Sequence, residues 1–96
     1  MVKTEPFDPA QYLTSPEAQT DLLNDALASG DASYVAHALG VIARARGMSE
    51  IAREAGITRE ALYRSLSEDG DPRLTTLLGV MRALGVRLTA EVGASP

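Results

Sequence analysis

The sequence predicts an all-α fold in the main: a helix-turn-helix bundle of about five helices that ends in one β-strand. Three observations carry that expectation. Apolar residues recur at three- and four-residue spacing in five successive stretches. Most of these stretches have a helix-capping residue in front and a glycine behind. Past Gly85 the apolar period falls to two, the spacing of a half-buried strand.

Residues 1–14 read as an extended N-terminal segment, because Pro6 and Pro9 exclude helix and push the residues before them toward extended geometry. Phe7, Tyr12 and Leu13 make that segment apolar enough to dock on something. Residues 15–96 read as a single helix-turn-helix domain. Ser15, Pro16 and Glu17 form a helix start: a cap, a first-turn proline and an acid at the positive end of the dipole. Ala18, Leu22, Leu23, Ala26 and Leu27 supply the stripe, and Gly30 ends it. Asp31 caps the second helix, whose stripe is Val35, Ala38, Leu39, Ile42 and Ala43 and whose end is Gly47. Gly40, inside that helix, costs up to about 1 kcal/mol relative to alanine and fits a close helix crossing. Ser49 is expected to open a short third helix carrying Ile51, Ala52 and Ala55, closed by Gly56. Thr58 caps the fourth, with Ala61, Leu62, Ser65 and Leu66 facing inward. Asp71 and Pro72 are expected to start the fifth, with Leu74, Leu77, Leu78, Met81 and Leu84 as its stripe. Residues 86–92 then alternate Val86, Leu88, Ala90 and Val92 against Arg87, Thr89 and Glu91, as a strand does.

Composition removes several classes of function. The chain has no cysteine and one histidine, His37, so disulfides, thiol chemistry and a histidine-based metal site are not expected. No nucleophile pattern and no phosphate-cradling glycine loop is present, so neither an enzyme nor a cofactor is expected. There is no apolar run near the ~20 residues that span a bilayer, and the first residues lack the apolar core of a secretion signal, so a cytoplasmic protein is the expectation. The net charge of −4 is unevenly spread. Residues 1–40 hold six acids against Lys3, whereas residues 41–90 hold eight arginines against six acids. Arginine as the only cation of the middle suits bidentate contact with phosphate or guanine, although each arginine is equally explained as ordinary solvated surface.

The most informative stretch lies within residues 48–68. A helix-turn-helix unit needs a small residue where its second helix crosses the first, a positive φ at the turn, an apolar plug between the helices and a cap on the second helix. Ala52, Gly56, Ile57 and Thr58 meet those needs at the right offsets, and Leu62 anchors the second helix inward. An ordinary helical hairpin accounts for part of this pattern, but not for two amphipathic helices before it and one after. In such a unit the front of the second helix enters the major groove. Thr58, Arg59, Glu60, Tyr63 and Arg64 are therefore the candidate contacts there. Arg59 or Arg64 can read guanine, Glu60 can accept from cytosine or simply favour the helix dipole, and Tyr63 and Thr58 can reach phosphate. Arg44, Arg46, Arg53 and Arg73 are candidates for phosphate contact.

The segment order is similar to that of lambda-repressor-like, Xre-type helix-turn-helix domains. More narrowly, residues 7–13, 38–49 and 51–63 resemble the addiction module antidote proteins, a HigA-like antitoxin family, and the likeness extends over residues 7–92. The resemblance implies a partner, a RelE/ParE-like toxin encoded beside the antitoxin, and two roles: neutralising that toxin and repressing the shared operon. One feature departs from the wider Xre pattern. The chain is about two residues short between Gly47 and Ile51, and Met48, Ser49 and Glu50 stand where a DNA-contacting glutamine is usual. A stand-alone repressor and an interaction module that has lost DNA binding are the competing readings.

Two further expectations follow. A toxin that binds polyanions is basic, so the acidic front of the chain, with Phe7, Tyr12 and Leu13 as anchors, suits it; the alternative is that these three residues cover the protein's own core. The strand formed by Val86, Leu88, Ala90 and Val92 is expected to pair with its copy in a homodimer, Leu88 and Ala90 lying across the two-fold axis. Its rival partner is a sheet in the toxin.

Overall fold

The computed structural model describes residues 15–67 and 69–93. The extended segment expected at residues 1–14, with Phe7, Tyr12 and Leu13, lies outside the described residues. Among the described residues there are five helices and no strand: α1 (Pro16–Ser29), α2 (Ala32–Arg46), α3 (Met48–Ala55), α4 (Arg59–Ser65) and α5 (Leu74–Leu84).

The helix ends follow local chemistry. Ser15 Oγ accepts the Ala18 N–H at 3.1 Å and Pro16 sits in the first turn of α1. Asp31 caps α2 by accepting from the N–H of Ser33 at 3.0 Å and of Tyr34 at 3.4 Å, and from the Ser33 hydroxyl at 3.0 Å. Those hydrogen bonds, the Ser33 side chain's first, hold the Asp31 carboxyl below its ordinary range. Across the same turn the Tyr34 hydroxyl donates to Asp25 at 2.6 Å, which ties α2 to α1 and raises the tyrosine's pKa.

Helix α3 is the centre of the packing: it touches α2, α4 and α5, while α1 lies on α2. The core joins Leu39, Ile42, Leu62, Leu66, Val80 and Met81, all essentially inaccessible to solvent. Gly40 marks the close crossing that its position in α2 suggests. A Cβ there would lie 3.0 Å from the Leu66 carbonyl oxygen, so α2 passes the end of α4 closely enough that any side chain would press on the Leu66 backbone.

Four details differ from the sequence expectation. Helix α3 begins at Met48 rather than Ser49, because the Met48 side chain is buried, at 6% exposure, and Gly47 alone makes the bend. Helix α5 begins at Leu74: Arg73 takes the capping position and no side chain caps it, so Asp71 and Pro72 precede the helix instead of starting it. The buried stripe of α5 is Leu77, Val80, Met81 and Leu84, leaving Leu74 65% and Leu78 44% exposed. The cause is the seat of α5 on α3, where Gly79 comes so near Ala55 that an added Cβ would lie 3.3 Å from its carbonyl oxygen. That contact turns Val80 inward and Leu78 outward. Finally, residues 86–93 form no strand. Val86 is half-buried and its N–H reaches the Met81 carbonyl at 3.0 Å, but Leu88 is 45% and Val92 99% exposed. A strand exists only where another backbone answers its amides and carbonyls, and among the described residues none does so here.

Candidate nucleic-acid interface

Helices α3 and α4 meet through Gly56, Ile57 and Thr58. Gly56 has φ 80° and ψ 25°, the left-handed turn that side chains disfavour. The Ile57 N–H closes the turn on the Ala52 carbonyl at 3.0 Å, and its side chain packs half-buried against the core. Thr58 caps α4, its Oγ1 accepting the Ala61 N–H at 3.0 Å. Ala52 is 2% exposed beneath the crossing and Leu62 is fully buried. Ala52, Gly56, Ile57, Thr58 and Leu62 thus supply the crossing, turn, plug, cap and inward anchor of the α3–α4 junction.

The outer side of this unit holds a cluster drawn from three helices. The Arg59 guanidinium, at the front of α4, lies 5.5 Å from the centre of the Tyr63 ring and 3.4 Å from the Tyr63 hydroxyl. It also donates toward Ser49 Oγ, on α3, at 3.4 Å. From the end of α2, the Arg44 guanidinium lies 5.9 Å from the same ring. Tyr63 is thus flanked by two cations, an arrangement worth roughly 0.5–1 kcal/mol per contact at an exposed site. The hydrogen bond from Arg59 to Tyr63, then that hydroxyl's charge on ionisation and the nearby Glu60, raise the Arg59 pKa further above its already high ordinary value. Neither Arg44 nor Arg59 has a carboxylate within ion-pair distance among the described residues, where Arg53 with Glu50, at 3.7 Å, is the ion pair formed.

Other sequence candidates sort themselves around this cluster. Glu60 and Arg64 are exposed on α4, Glu60 in its first turn. Arg53 is exposed on α3 in its pair with Glu50, and Arg73 is exposed in front of α5. Arg46 is engaged elsewhere. It donates to Gln19 Oε1 at 2.9 Å and to the Leu84 carbonyl at 3.2 Å, bridging α1, α2 and the end of α5. The structure therefore brings Arg44, Arg59 and Tyr63 together and takes Arg46 away from them.

Sequence reasoning missed two residues. Gln19, 6% exposed, stands four residues before Leu23 on the inner face of α1, a spacing that marks it as a core position despite its polarity. Ser49 stands within the shortened stretch before Ile51; no sequence pattern announces its approach to Arg59.

A family model described as probable addiction module antidote proteins matches residues 3–92. The chain belongs to this family. An uncharacterised protein of Haemophilus influenzae (strain Rd) is 46% identical over 85 residues, covering 88% of each of the two chains. No solved structure matches the chain. Membership in the antidote family implies a toxin partner in general. Among the described residues of this antidote-family protein, no helix is long and apolar enough to cross a membrane.

Proposed function

We propose that this protein is a HigA-like, Xre-type antitoxin of a toxin–antitoxin module, acting in the cytoplasm by binding and not by catalysis. It neutralises a RelE/ParE-like toxin and, as a homodimer, represses its own operon at a palindromic site through the α3–α4 unit. The observation that carries the DNA-binding half is the Arg44–Tyr63–Arg59 cluster. Two guanidiniums flank one ring beside the exposed front of α4, and no carboxylate answers them within ion-pair distance among the described residues. Such a cluster carries mutual repulsion that a phosphate backbone relieves, and the α4 front offers Thr58, Glu60 and Arg64 to base edges or phosphates beside it. The toxin half rests on the family and on the acids Glu17, Asp21 and Asp25, exposed along α1, together with Phe7, Tyr12 and Leu13.

The test is a titration of the protein's own promoter DNA by fluorescence anisotropy at several salt concentrations. Replacing Arg44 and Arg59 by alanine together is expected to lower the salt slope by about two, one per lost phosphate contact. Unchanged affinity and slope would overturn the assignment. Co-expression with the neighbouring small open reading frame tests the other half: the wild type rescues growth, and Glu17→Lys with Asp21→Lys rescues it less. Full rescue by that variant removes the acidic face of α1 from the toxin contact.

A further inference from the structure

Where α1, α2 and α5 meet, the surface dips into a pocket of about 140 Å³. Leu23, Ile42 and Leu84 give it apolar walls. Gln19 and Arg46, joined by their 2.9 Å hydrogen bond, give it a polar side. Pro16, the first residue of α1, also lines it. The pocket therefore lies beside the point where residues 1–14 join the helix. A cavity of about 150 Å³ takes up one benzene ring, so this one is the size of a single aromatic side chain.

We infer that the occupant is Tyr12 of the same chain. Reach allows it. A chain spans up to about 3.6 Å per residue, so the Tyr12 Cα, three residues before Ser15, lies within about 11 Å of the Ser15 Cα, and the ring reaches further. Polarity selects it. Tyrosine is apolar along its ring and polar at its tip, matching a pocket of leucine and isoleucine walls with an amide and a guanidinium on one side. Leu13 has no polar atom to offer Gln19 and Arg46, and neither has Phe7, which stands nine residues before Pro16. The Arg46 guanidinium also suits a ring, as Arg44 and Arg59 do at Tyr63. So placed, Tyr12 is a positioning residue and not a toxin contact. It ties the N-terminal segment to the start of α1, beside the exposed Glu17 and Asp21. Glu5, Phe7 and Asp8 are then offered to a toxin on a segment already fixed, which spares the cost of ordering it on binding. That consequence rests on the toxin reading above, whereas the docking does not.

NMR of the methyl-labelled full-length protein, free of DNA and toxin, tests the docking. The Tyr12 ring protons are expected to show Overhauser contacts to the methyls of Leu23, Ile42 and Leu84, and a mixture of labelled and unlabelled chains is expected to place those contacts within one chain. Y12A is expected to shift the same methyl signals and to lower the urea midpoint, and Y12F to lower it less. No contact from Tyr12, contacts from Phe7 or Leu13 in its place, or contacts only between chains overturns the assignment. So do methyl shifts that arise only when the product of the neighbouring small open reading frame is added. In a titration with that product, Y12A is expected to bind about tenfold more weakly and Y12F to recover most of the loss. Equal binding by Y12A overturns the positioning role. A wild type that does not bind the product is a failure of the toxin reading, and the contacts of Tyr12 are read without it.

Discussion

Helices α3 and α4 and their turn behave differently from α5 and the residues after it. In the first region Ala52, Gly56, Ile57, Thr58 and Leu62 take the positions their residue types demand. In the second the buried stripe is shifted around the helix, the start falls two residues after Pro72, and an alternating segment forms no strand among the described residues. The difference is one of range. A turn of positive φ and a threonine cap act within four residues, so their effect travels with the sequence. The face that a Leu-rich helix buries depends on what it leans on: five of the eleven residues of α5 are Leu or Val, spread over more than one face.

Leu62→Ala sharpens that contrast most. Leu62 is fully buried where α4 meets the core, so its truncation is expected to cost about 2–5 kcal/mol, read as a fall in the urea midpoint at constant slope. Gly40→Ala comes next. Its methyl presses on the Leu66 carbonyl, part of a backbone that cannot move aside cheaply, and is expected to cost about 1–3 kcal/mol despite the better helix propensity of alanine. Arg46→Ala is expected to cost about 1 kcal/mol through its bonds to Gln19 and Leu84, while leaving the salt slope of DNA binding unchanged. Arg59→Ala is expected to behave in the opposite way, changing that slope and barely altering stability. An arginine pair that failed to separate in this manner would dissolve the distinction between bracing and contact.

Asp31 gives a smaller, pH-dependent effect. Its carboxyl is held below 3.8 in the folded chain, so the stability it contributes is present above that value and is lost as pH falls through the folded pKa. Asp31→Asn keeps a capping side chain but cannot titrate, so its acid unfolding curve is expected to be flatter below pH 4 than the wild type's. The smallest effect is expected at Leu74, which the sequence pattern places in the core. At 65% exposure, Leu74→Gln is expected to change monomer stability by no more than about 0.5 kcal/mol; a loss of several times that would mean that α5 buries the stripe its sequence suggests.

The candidate site was legible in part. Arg59 and Tyr63 follow from their place at the front of α4, since the four-residue spacing of a helix puts them side by side. Their meeting with Arg44 does not, because it depends on where the end of α2 passes α4. Arg44 and Arg46 stand two residues apart in similar sequence, yet one lies over Tyr63 and the other reaches Gln19. Residues two apart on a helix point in different directions, and the neighbouring helices decide what each direction meets.

By itself the sequence determined the number and order of the described helices, the caps at Ser15, Asp31 and Thr58, and the turn at Gly56. These are short-range consequences of hydrogen-bonding side chains and of φ preference. It also determined that residues 86–92 alternate. Tertiary structure alone decided which flank of α5 is buried, that Arg46 braces three helices, and that the alternating segment is left without a partner among the described residues. Each of those outcomes depends on contact between groups distant in the chain, and a strand in particular is half a structure until another backbone completes its hydrogen bonds.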